Sequence, residues 1–162
     1  MSSRIYISSA LAASSDLKNA RLLYENIADE LRHLGYQPYL PHKKTDPVIN
    51  IESKPTDVFE DDIDAMFSAN YVLAILDEPS HGVGAEIALA ANKGIPIIAV
   101  WQSGKMVSRF IRGFLETQSS TWQCPYETNE EIAAIVSNII QKRSETLPAT
   151  TTGNSSENLA LS

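Results

Sequence analysis

Two groups of carboxylates in this sequence have surroundings that suit chemistry. Glu86 follows the glycine-containing stretch HGVG, which comes shortly after the apolar run YVLAIL. A second acidic group, EDDID, occupies residues 60–64. Paired carboxylates at a dry site can perform glycosyl chemistry, in which one ionised group attacks or stabilises the anomeric carbon and another group handles a proton. Glu86 and one acid from residues 60–64 are the first candidates for such a pair.

The same acids also have purely structural explanations. We predict a helix beginning at Gly84, and acidic residues are favoured in a first helical turn by the helix dipole. Residues 60–64 have the composition of a solvated helix start, and their spacing does not say which of them, if any, faces inward. The stretch HGVG fits backbone amides that bind an anion, and it fits a simple tight turn equally well. The residues by themselves leave both interpretations open.

Other kinds of site have weaker support. The glycines do not match the dinucleotide fingerprint GxGxxG, and Gly104-Lys105 lacks the upstream glycine of a Walker A element. No Ser-His-Asp or Cys-His arrangement stands out, and His81 is the one histidine expected near a site. Cys124 is expected to be a buried small residue. No cluster has metal-ligand spacing, so we predict no metal site.

Size and charge limit the class of protein. The chain has 162 residues, a formal net charge of −7 and a pI of about 4.9, with 43% hydrophobic and 20% charged residues. One domain with a real core is expected, without a general basic surface for nucleic acid or an anionic membrane. A single cysteine, the lack of a membrane-length apolar run and the lack of a signal-peptide layout predict a cytoplasmic protein.

Strand and helix patterns alternate along the chain. The predicted strands cover residues 4–9, 37–40, 71–76, 95–101 and 121–123. The predicted helices cover residues 17–34, 56–69, 84–93, 106–116 and 128–142, and a polar connection without regular structure covers 42–55. This alternation predicts a single doubly wound (Rossmann-like or flavodoxin-like) α/β domain over residues 1–143, with a five-stranded, mainly parallel sheet. Residues 144–162 are predicted to be a disordered tail.

Ligands bind such sheets outside the carboxyl ends of the strands. The three strand ends that we expect to form a site are Ser8-Ser9, residues 77–84 and residues 102–105. Two longer segments, EPSHGVGAEIALAANKGIPI (78–97) and QSGKMVSRFIRGF (102–114), lie at and after the last two of these ends. In these segments the sequence resembles the 2′-deoxynucleoside 5′-monophosphate N-glycosidases of the nucleoside deoxyribosyltransferase superfamily. The resemblance runs from Ile5-Tyr6 to about Trp122.

The resemblance implies roles for individual residues. Glu86 matches the catalytic glutamate, the nucleophile that attacks C1′ of the sugar and forms a covalent glycosyl-enzyme. Asp62 matches an aspartate that assists proton transfer and positions the sugar; if it is half-buried near Glu86, we expect like-charge repulsion to raise its pKa, so that it can act as an acid. Tyr6 matches a tyrosine close to the nucleophile and the sugar. We therefore expect an enzyme that hydrolyses the N-glycosidic bond of nucleoside 5′-monophosphates without a cofactor.

Further positions imply how the substrate is held. Ser80 matches the phosphate-binding serine, where relatives that act on free nucleosides carry an aspartate. Ser108 matches a serine that the neighbouring subunit donates to the phosphate, which implies a homodimer with shared sites. Ser9 in the first loop, with Gly82 and Gly84 where the backbone can approach the sugar, completes the predicted substrate-binding set.

One stretch departs from the family pattern. Family members carry a first loop of the type GSIRGG, whose serine and arginine hold the phosphate, and Ala10 and Ala12 occupy those positions here. Losing a charge-assisted contact costs about 1.5–3 kcal/mol, roughly ten- to a hundredfold in affinity. The side chains available to replace it are Ser14, Ser15, Lys18, Lys105 and Arg109. Two alternatives stay open: a transferase or hydrolase acting on free nucleosides, and a non-catalytic nucleotide-binding sensor domain.

Overall fold

The computed structural model of this protein describes residues 2–11, 16–46 and 48–146. These residues form five strands and six helices, which alternate in the order that the sequence predicts, apart from one additional short helix. The strands are β1 (Arg4–Ser8), β2 (Gln37–Tyr39), β3 (Tyr71–Ile75), β4 (Ile97–Gln102) and β5 (Thr121–Tyr126). The helices are α1 (Leu17–His33), α2 (His42–Thr45), α3 (Pro55–Phe67), α4 (His81–Lys93), α5 (Arg109–Glu116) and α6 (Glu131–Thr146).

The five strands form one sheet in the order β2-β1-β3-β4-β5, and every pair is parallel. This confirms the predicted doubly wound α/β fold. The chain moves outward from β1 to β2, then crosses back to place β3 on the other side of β1. The carboxyl ends of β1 and β3 therefore lie side by side at the point where the strand order reverses, which is where such sheets bind ligands.

The two faces of the sheet have separate cores because successive side chains of a strand point to opposite sides. Ile5 and Ile7 of β1 pack with α1 and α6, in a cluster that includes Ile27 and Val136. Tyr6 lies on the opposite face and packs with α3, α4 and α5. Ser8 follows Tyr6 at the same-face spacing, so β1 presents two hydroxyl groups towards the side that carries α3 and α4.

Several helix starts differ from the predictions. Helix α4 begins at His81, with Ser80 as its N-cap, instead of at Gly84. Helix α3 begins at Pro55, one residue before the predicted start at 56, and its N-cap is Lys54. Proline suits a first helical position because its missing N–H has no helical partner there in any case. Helix α5 begins at Arg109, later than the predicted residue 106.

The connection 42–55 also has more structure than predicted. It contains α2 and then a turn organised by Asp46, whose carboxylate accepts hydrogen bonds from the N–H groups of Val48 (2.8 Å) and Ile49 (2.9 Å). Arg21 of α1 donates to both oxygens of the same carboxylate, at 2.7 and 2.8 Å. The connection is thus anchored to the body of the domain.

The chain termini and the first loop fall partly outside the described residues. Helix α6 continues to Thr146, three residues past the predicted end of the domain. The rest of the predicted tail, residues 147–162, lies outside the described residues. So do Ala12, Ser14 and Ser15, while Asp16 caps α1 by accepting from the Asn19 N–H at 3.1 Å.

Candidate active site

Glu86 lies in the second turn of α4, since the helix begins at His81. The prediction that Glu86 occupies the first turn, where the dipole favours a negative charge, is therefore wrong, because that effect fades beyond the first turn. HGVG is the first turn itself and not a tight turn before the helix. The side chain of Glu86 instead reaches β1, on the side of the sheet where α3 also packs.

Two hydroxyl groups of β1 hold the Glu86 carboxylate. The Tyr6 hydroxyl donates to Oε1 at 2.7 Å, and the Ser8 hydroxyl donates to Oε2. Tyr6 and Ser8 are both 0% exposed. Each carboxylate oxygen therefore has a hydrogen-bond donor from the same strand, and one lone pair of each oxygen stays available for chemistry.

Burial raises the pKa of Glu86 above its ordinary value. The hydrogen bonds from Ser8 and Tyr6 oppose that shift, and the charge of Asp62 adds to it. The two hydroxyl donors, rather than the start of α4, are thus the groups that favour ionised Glu86. The result is a desolvated carboxylate of raised basicity that a substrate can approach.

Asp62 is the acid of the 60–64 group that shares this site. Its carboxylate accepts from the Thr45 hydroxyl, with Oδ1 at 3.1 Å and Oδ2 at 3.4 Å. Burial is the main reason that its pKa is raised, and the charge of Asp61 adds to the shift while Thr45 and Lys44 oppose it. The sequence prediction attributed a raised pKa to repulsion by Glu86. The direction is confirmed, but burial is the leading cause.

Two tyrosine rings line the same end of the sheet. Tyr6 stacks on Tyr39 of β2, with ring centroids 5.8 Å apart and an interplanar angle of 16°. Burial, followed by the charges of Glu86 and Asp62, raises the pKa of Tyr6 far above its usual range, so its hydroxyl stays protonated and acts as a donor. The structure thus brings the three predicted catalytic residues, Tyr6, Asp62 and Glu86, into one cluster.

Four of the five predicted substrate-binding residues line a groove of about 810 Å³ between the start of α4 and α5; they are Ser80, Gly82, Gly84 and Ser108. Ser80 caps α4 by accepting from the Val83 N–H at 3.4 Å. Ser108 caps α5 by accepting from the Ile111 N–H at 3.5 Å. Two helix N-termini therefore face one groove, and such termini favour anions.

The two glycines leave the first turn of α4 bare. A Cβ at Gly82 would lie 3.7 Å from Oγ of Ser80, and one at Gly84 would lie 3.8 Å from Cδ1 of Ile111, both ordinary contact distances. Packing therefore tolerates alanine at either position. The glycines leave the backbone of this helical turn open to approach, and their contact with the sugar stays a prediction.

The catalytic cluster and the groove lie on different flanks of α4. Glu86 reaches β1, whereas α5 packs on β5 at the far side of the sheet, where the Gln123 side-chain amide donates to the Arg112 carbonyl at 3.2 Å. Neither Tyr6 nor Glu86 lines the groove. Within one chain, Ser108 is thus separated from Glu86 by the helix that carries Glu86.

The candidate phosphate-binding cations differ in their surroundings. Lys105 is paired with Glu78 at 2.6 Å. Arg109 lines the groove, and no ion pair involves it among the described residues. Lys18 is exposed on α1. Ser9 is half-buried directly after β1, next to the buried Ala10.

The sequence placed Ser8 at an expected site but gave it no role, and it did not indicate Tyr39 or Thr45. Ser8 carries a usable signal, since it stands two positions after Tyr6 in a strand and must share its face. Tyr39 and Thr45 carry no such signal in the sequence, because their approach to Tyr6 and Asp62 depends on the sheet order and on α2.

Within residues 2–11, 16–46 and 48–146, no three potential metal ligands come together. No helix in these ranges is both long and apolar enough to cross a membrane.

The nucleoside 2-deoxyribosyltransferase family model matches residues 5–145. The chain belongs to this family. A relative from Thermofilum pendens, provisionally named a 2′-deoxynucleoside 5′-phosphate N-hydrolase, is 30% identical over 125 residues, which is 74% of this chain and 80% of the relative. A protein of the same name from Methanococcoides burtonii is 30% identical over 92 residues, covering 56% of this chain and 75% of that protein.

Solved structures of related fold agree with this membership. A CMP N-glycosidase from Clostridium botulinum superposes with a TM-score of 0.61 at 18% identity, covering 83% of this chain and 98% of the other. A 2-deoxyribosyltransferase from Bacillus psychrosaccharolyticus superposes with a TM-score of 0.60 at 17% identity, covering 80% and 90%. At this level of identity the two structures show a shared fold, while the N-hydrolase name of the two 30% identical relatives supports a glycosidase-type enzyme.

Proposed function

We propose that this protein hydrolyses the N-glycosidic bond of (deoxy)nucleoside 5′-monophosphates, releasing free base and sugar 5-phosphate. The observation that carries the proposal is the half-buried Glu86 carboxylate, which Tyr6 and Ser8 hold by both oxygens and which has Asp62 as its neighbour. A desolvated carboxylate fixed beside a second, protonatable carboxyl group suits substitution at an anomeric carbon.

In the first step, one oxygen of Glu86 attacks C1′ and forms an ester with the sugar. The bond from C1′ to the base breaks, and its electron pair leaves with the base. Asp62 in its protonated form gives its proton to the departing base, and its raised pKa favours that form. The products of this step are free base, a glycosyl-Glu86 ester and ionised Asp62.

In the second step, water attacks C1′ from the face that the base left. Asp62 accepts a proton from the water, and the ester bond breaks to regenerate ionised Glu86. Two displacements at the same carbon give overall retention of configuration. Hydrogen bonds from Tyr6 and Ser8 stabilise the charge that returns to Glu86 in this step.

Three features support a monophosphate as the substrate. The N-terminus of α4, capped by Ser80, belongs to the chain that carries Glu86 and favours an anion; the N-terminus of α5, with Ser108 and with Arg109, which has no ion pair within the described chain, can come from the neighbouring subunit. Serine at position 80 adds no negative charge beside the phosphate. Relatives are named a 2′-deoxynucleoside 5′-phosphate N-hydrolase and a CMP N-glycosidase.

We also propose a homodimer in which each site takes Ser108 from the neighbouring subunit. Ser108 lies across α4 from Glu86 in its own chain, so a partner is the natural recipient of its hydroxyl. Met106 and Phe110, which flank Ser108, are 95% and 81% exposed. Large apolar side chains exposed together are typical of an interaction surface.

The test is a chromatographic screen for free base with purified protein, nucleoside monophosphates and free nucleosides, in ribo and deoxy forms, with and without an acceptor base. Glu86→Gln, which keeps the shape of the side chain, is the control. Base release from monophosphates that is lost in Glu86→Gln supports the proposal. Base exchange on free nucleosides would assign the protein to the transferases, and binding without turnover would assign it as a sensor.

A further inference from the structure

Glu86 has a second hydroxyl donor that the sequence pattern did not assign. Ser8 stands at the end of β1, pairs with Ala74 of β3 in the sheet register, and is 0% exposed. Its hydroxyl donates to Oε2 of Glu86, across 78 residues of sequence. A buried hydroxyl without a partner would be costly, so this contact is the one that accounts for a serine at a fully buried strand position.

Two hydrogen-bond donors fix the orientation of a carboxylate group, whereas a single donor does not. The terminal torsion of a glutamate is broad, so a single hydrogen bond leaves the group free to turn about that bond. Tyr6 and Ser8 project from the same face of β1 and bind different oxygens of Glu86. The plane of the carboxylate is thereby tied to the strand at the carboxyl edge of the sheet.

We propose that Ser8 is a positioning residue for Glu86, which orients the carboxylate for attack on C1′ and stabilises its ionised form. The role in attack rests on the proposed function. The hydrogen bond and its effect on ionisation do not, because they exist in the free protein.

The groups that face Glu86 determine how removal of the Ser8 hydroxyl changes the ionisation of Glu86. Tyr6 from β1 donates to it, Asp62 from α3 repels it, and burial disfavours its charge. Tyr39 from β2 contacts the Tyr6 ring, and Lys44 from α2 lies near Asp62. Of these groups only Tyr6 and Ser8 donate directly to the Glu86 carboxylate, so loss of Ser8 leaves a buried carboxylate with one donor and a repelling neighbour.

The experiment measures the ionisation of Glu86 directly in the full-length protein. Carboxyl carbons of glutamate are labelled with ¹³C, the Glu86 signal is assigned as the one missing in Glu86→Gln, and it is followed by NMR as pH is varied. In Ser8→Ala the pKa of Glu86 should rise by roughly one unit, a tenfold change in its ionisation constant. In Ser8→Cys, which keeps a weaker donor, the rise should be smaller. If one of these two variants fails to fold, the other still tests the proposal.

Ser137→Ala is the matched control, because it also removes a buried serine hydroxyl, one that lies 3.1 Å from the Tyr36 hydroxyl on the opposite face of the sheet. It should leave the Glu86 titration unchanged. With an active substrate, Ser8→Ala should also shift the acidic limb of kcat/KM to higher pH and lower kcat about tenfold with little change in KM. An unchanged or lowered pKa of Glu86 in Ser8→Ala would overturn the proposal, whether or not the wild-type protein releases base.

Discussion

At the scale of single residues, the ionised form of Glu86 is expected to lower the free energy of unfolding of the protein. Burial raises its pKa, so the folded state holds the ionised form less readily than the unfolded chain does. A raised folded pKa contributes stability at acidic pH, and that contribution is lost as pH rises through the folded value. At neutral pH the ionised Glu86 is therefore a cost to folding.

Glu86→Gln removes that cost and should raise the melting temperature at pH 7. The gain should shrink as pH falls below the folded pKa, since wild-type Glu86 is then neutral as well. Differential scanning fluorimetry across pH measures both effects. Glu60→Gln, an exposed position on α3, is the control and should show no such trend. A lower melting temperature for Glu86→Gln at pH 7 would contradict the electrostatic description of the site.

Side-chain roles were only partly predictable from the sequence. The family pattern identified Glu86, Asp62 and Tyr6, and the structure groups them. Periodicity could not select Asp62 from the EDDID group, because that choice depends on Thr45 of α2 reaching its carboxylate. The physical cause of the raised pKa of Asp62 was also not predictable, since burial is a property of the packed site.

At the scale of elements, a buried ion pair anchors the connection that supports Asp62. Asp46 has a side chain that is 1% exposed, and Arg21 of α1 binds it through two hydrogen bonds. The next residues back along the chain, Thr45 and Lys44, contact Asp62 and Asp61. Loss of the ion pair should therefore lower the free energy of unfolding and weaken the contacts that hold Asp62 in the site.

Arg21→Ala leaves the buried Asp46 carboxylate with two backbone N–H donors but no cation, and it should lower the free energy of unfolding by about 3–5 kcal/mol. Arg32→Ala is the matched control on the same helix, because Arg32 pairs with Asp29 where the two side chains are 50% and 64% exposed. That change should cost less than about 1 kcal/mol. Urea denaturation compares the two variants, and equal losses would contradict the anchoring role.

The ion pair between Arg21 and Asp46 should also make the stability of the protein fall at acidic pH. Its hydrogen bonds with Arg21, Ile49 and Val48 lower the pKa of Asp46 from 3.8 to about 2, outweighing the opposing effect of burial. A lowered folded pKa contributes stability above the unfolded value, and that contribution is lost as pH falls from about 4 to about 2. The urea midpoint of wild-type protein should fall over this range, and in Asp46→Asn this part of the fall should be absent.

The start of α4 gives a third prediction at this scale. Ser80→Asp keeps a good N-cap but places a negative charge at the groove. It should raise KM for monophosphates at least about tenfold by repelling the phosphate, with little change in melting temperature. Ser80→Thr, which also keeps the cap but adds no charge, is the control. An unchanged KM in Ser80→Asp would place the phosphate elsewhere.

Element boundaries show what sequence patterns leave undetermined. The strands and most helices were predicted because apolar spacing is strong there, as in the fully buried β3. The start of α4 was misplaced because glycines were interpreted as a turn, whereas the Ser80 hydroxyl permits the helix to begin directly after it. Helix α2 is too short for apolar periodicity to reveal, and it depends on tertiary contacts for its position.

At the scale of the whole molecule, the proposed homodimer makes a prediction about mixed variants. Glu86→Gln and Ser108→Ala should each be weakly active alone. Mixing them allows a dimer in which one site has Glu86 from one subunit and Ser108 from the other. If dimers reassemble at random, half are mixed and each has one intact site, so about a quarter of all sites should be restored.

Light scattering measures whether the protein is a dimer, and the base-release assay measures the activity that mixing restores. Recovery should appear only under conditions that allow subunits to exchange. Mixing Glu86→Gln with Asp62→Asn is the control, because both residues belong to the same chain's cluster and no mixed dimer has an intact site. Equal activity in the two mixtures would argue against shared sites.

In the proposed mechanism, Glu86 becomes covalently joined to the sugar. The most direct measurement is mass spectrometry of the protein after reaction with a 2′-fluorinated nucleoside monophosphate, since fluorine slows hydrolysis of a glycosyl ester. We expect a mass increase equal to the fluorinated sugar phosphate less one water, located in the peptide that contains Glu86 and absent in Glu86→Gln. Release of base with no adduct, or with an adduct on another residue, would contradict it.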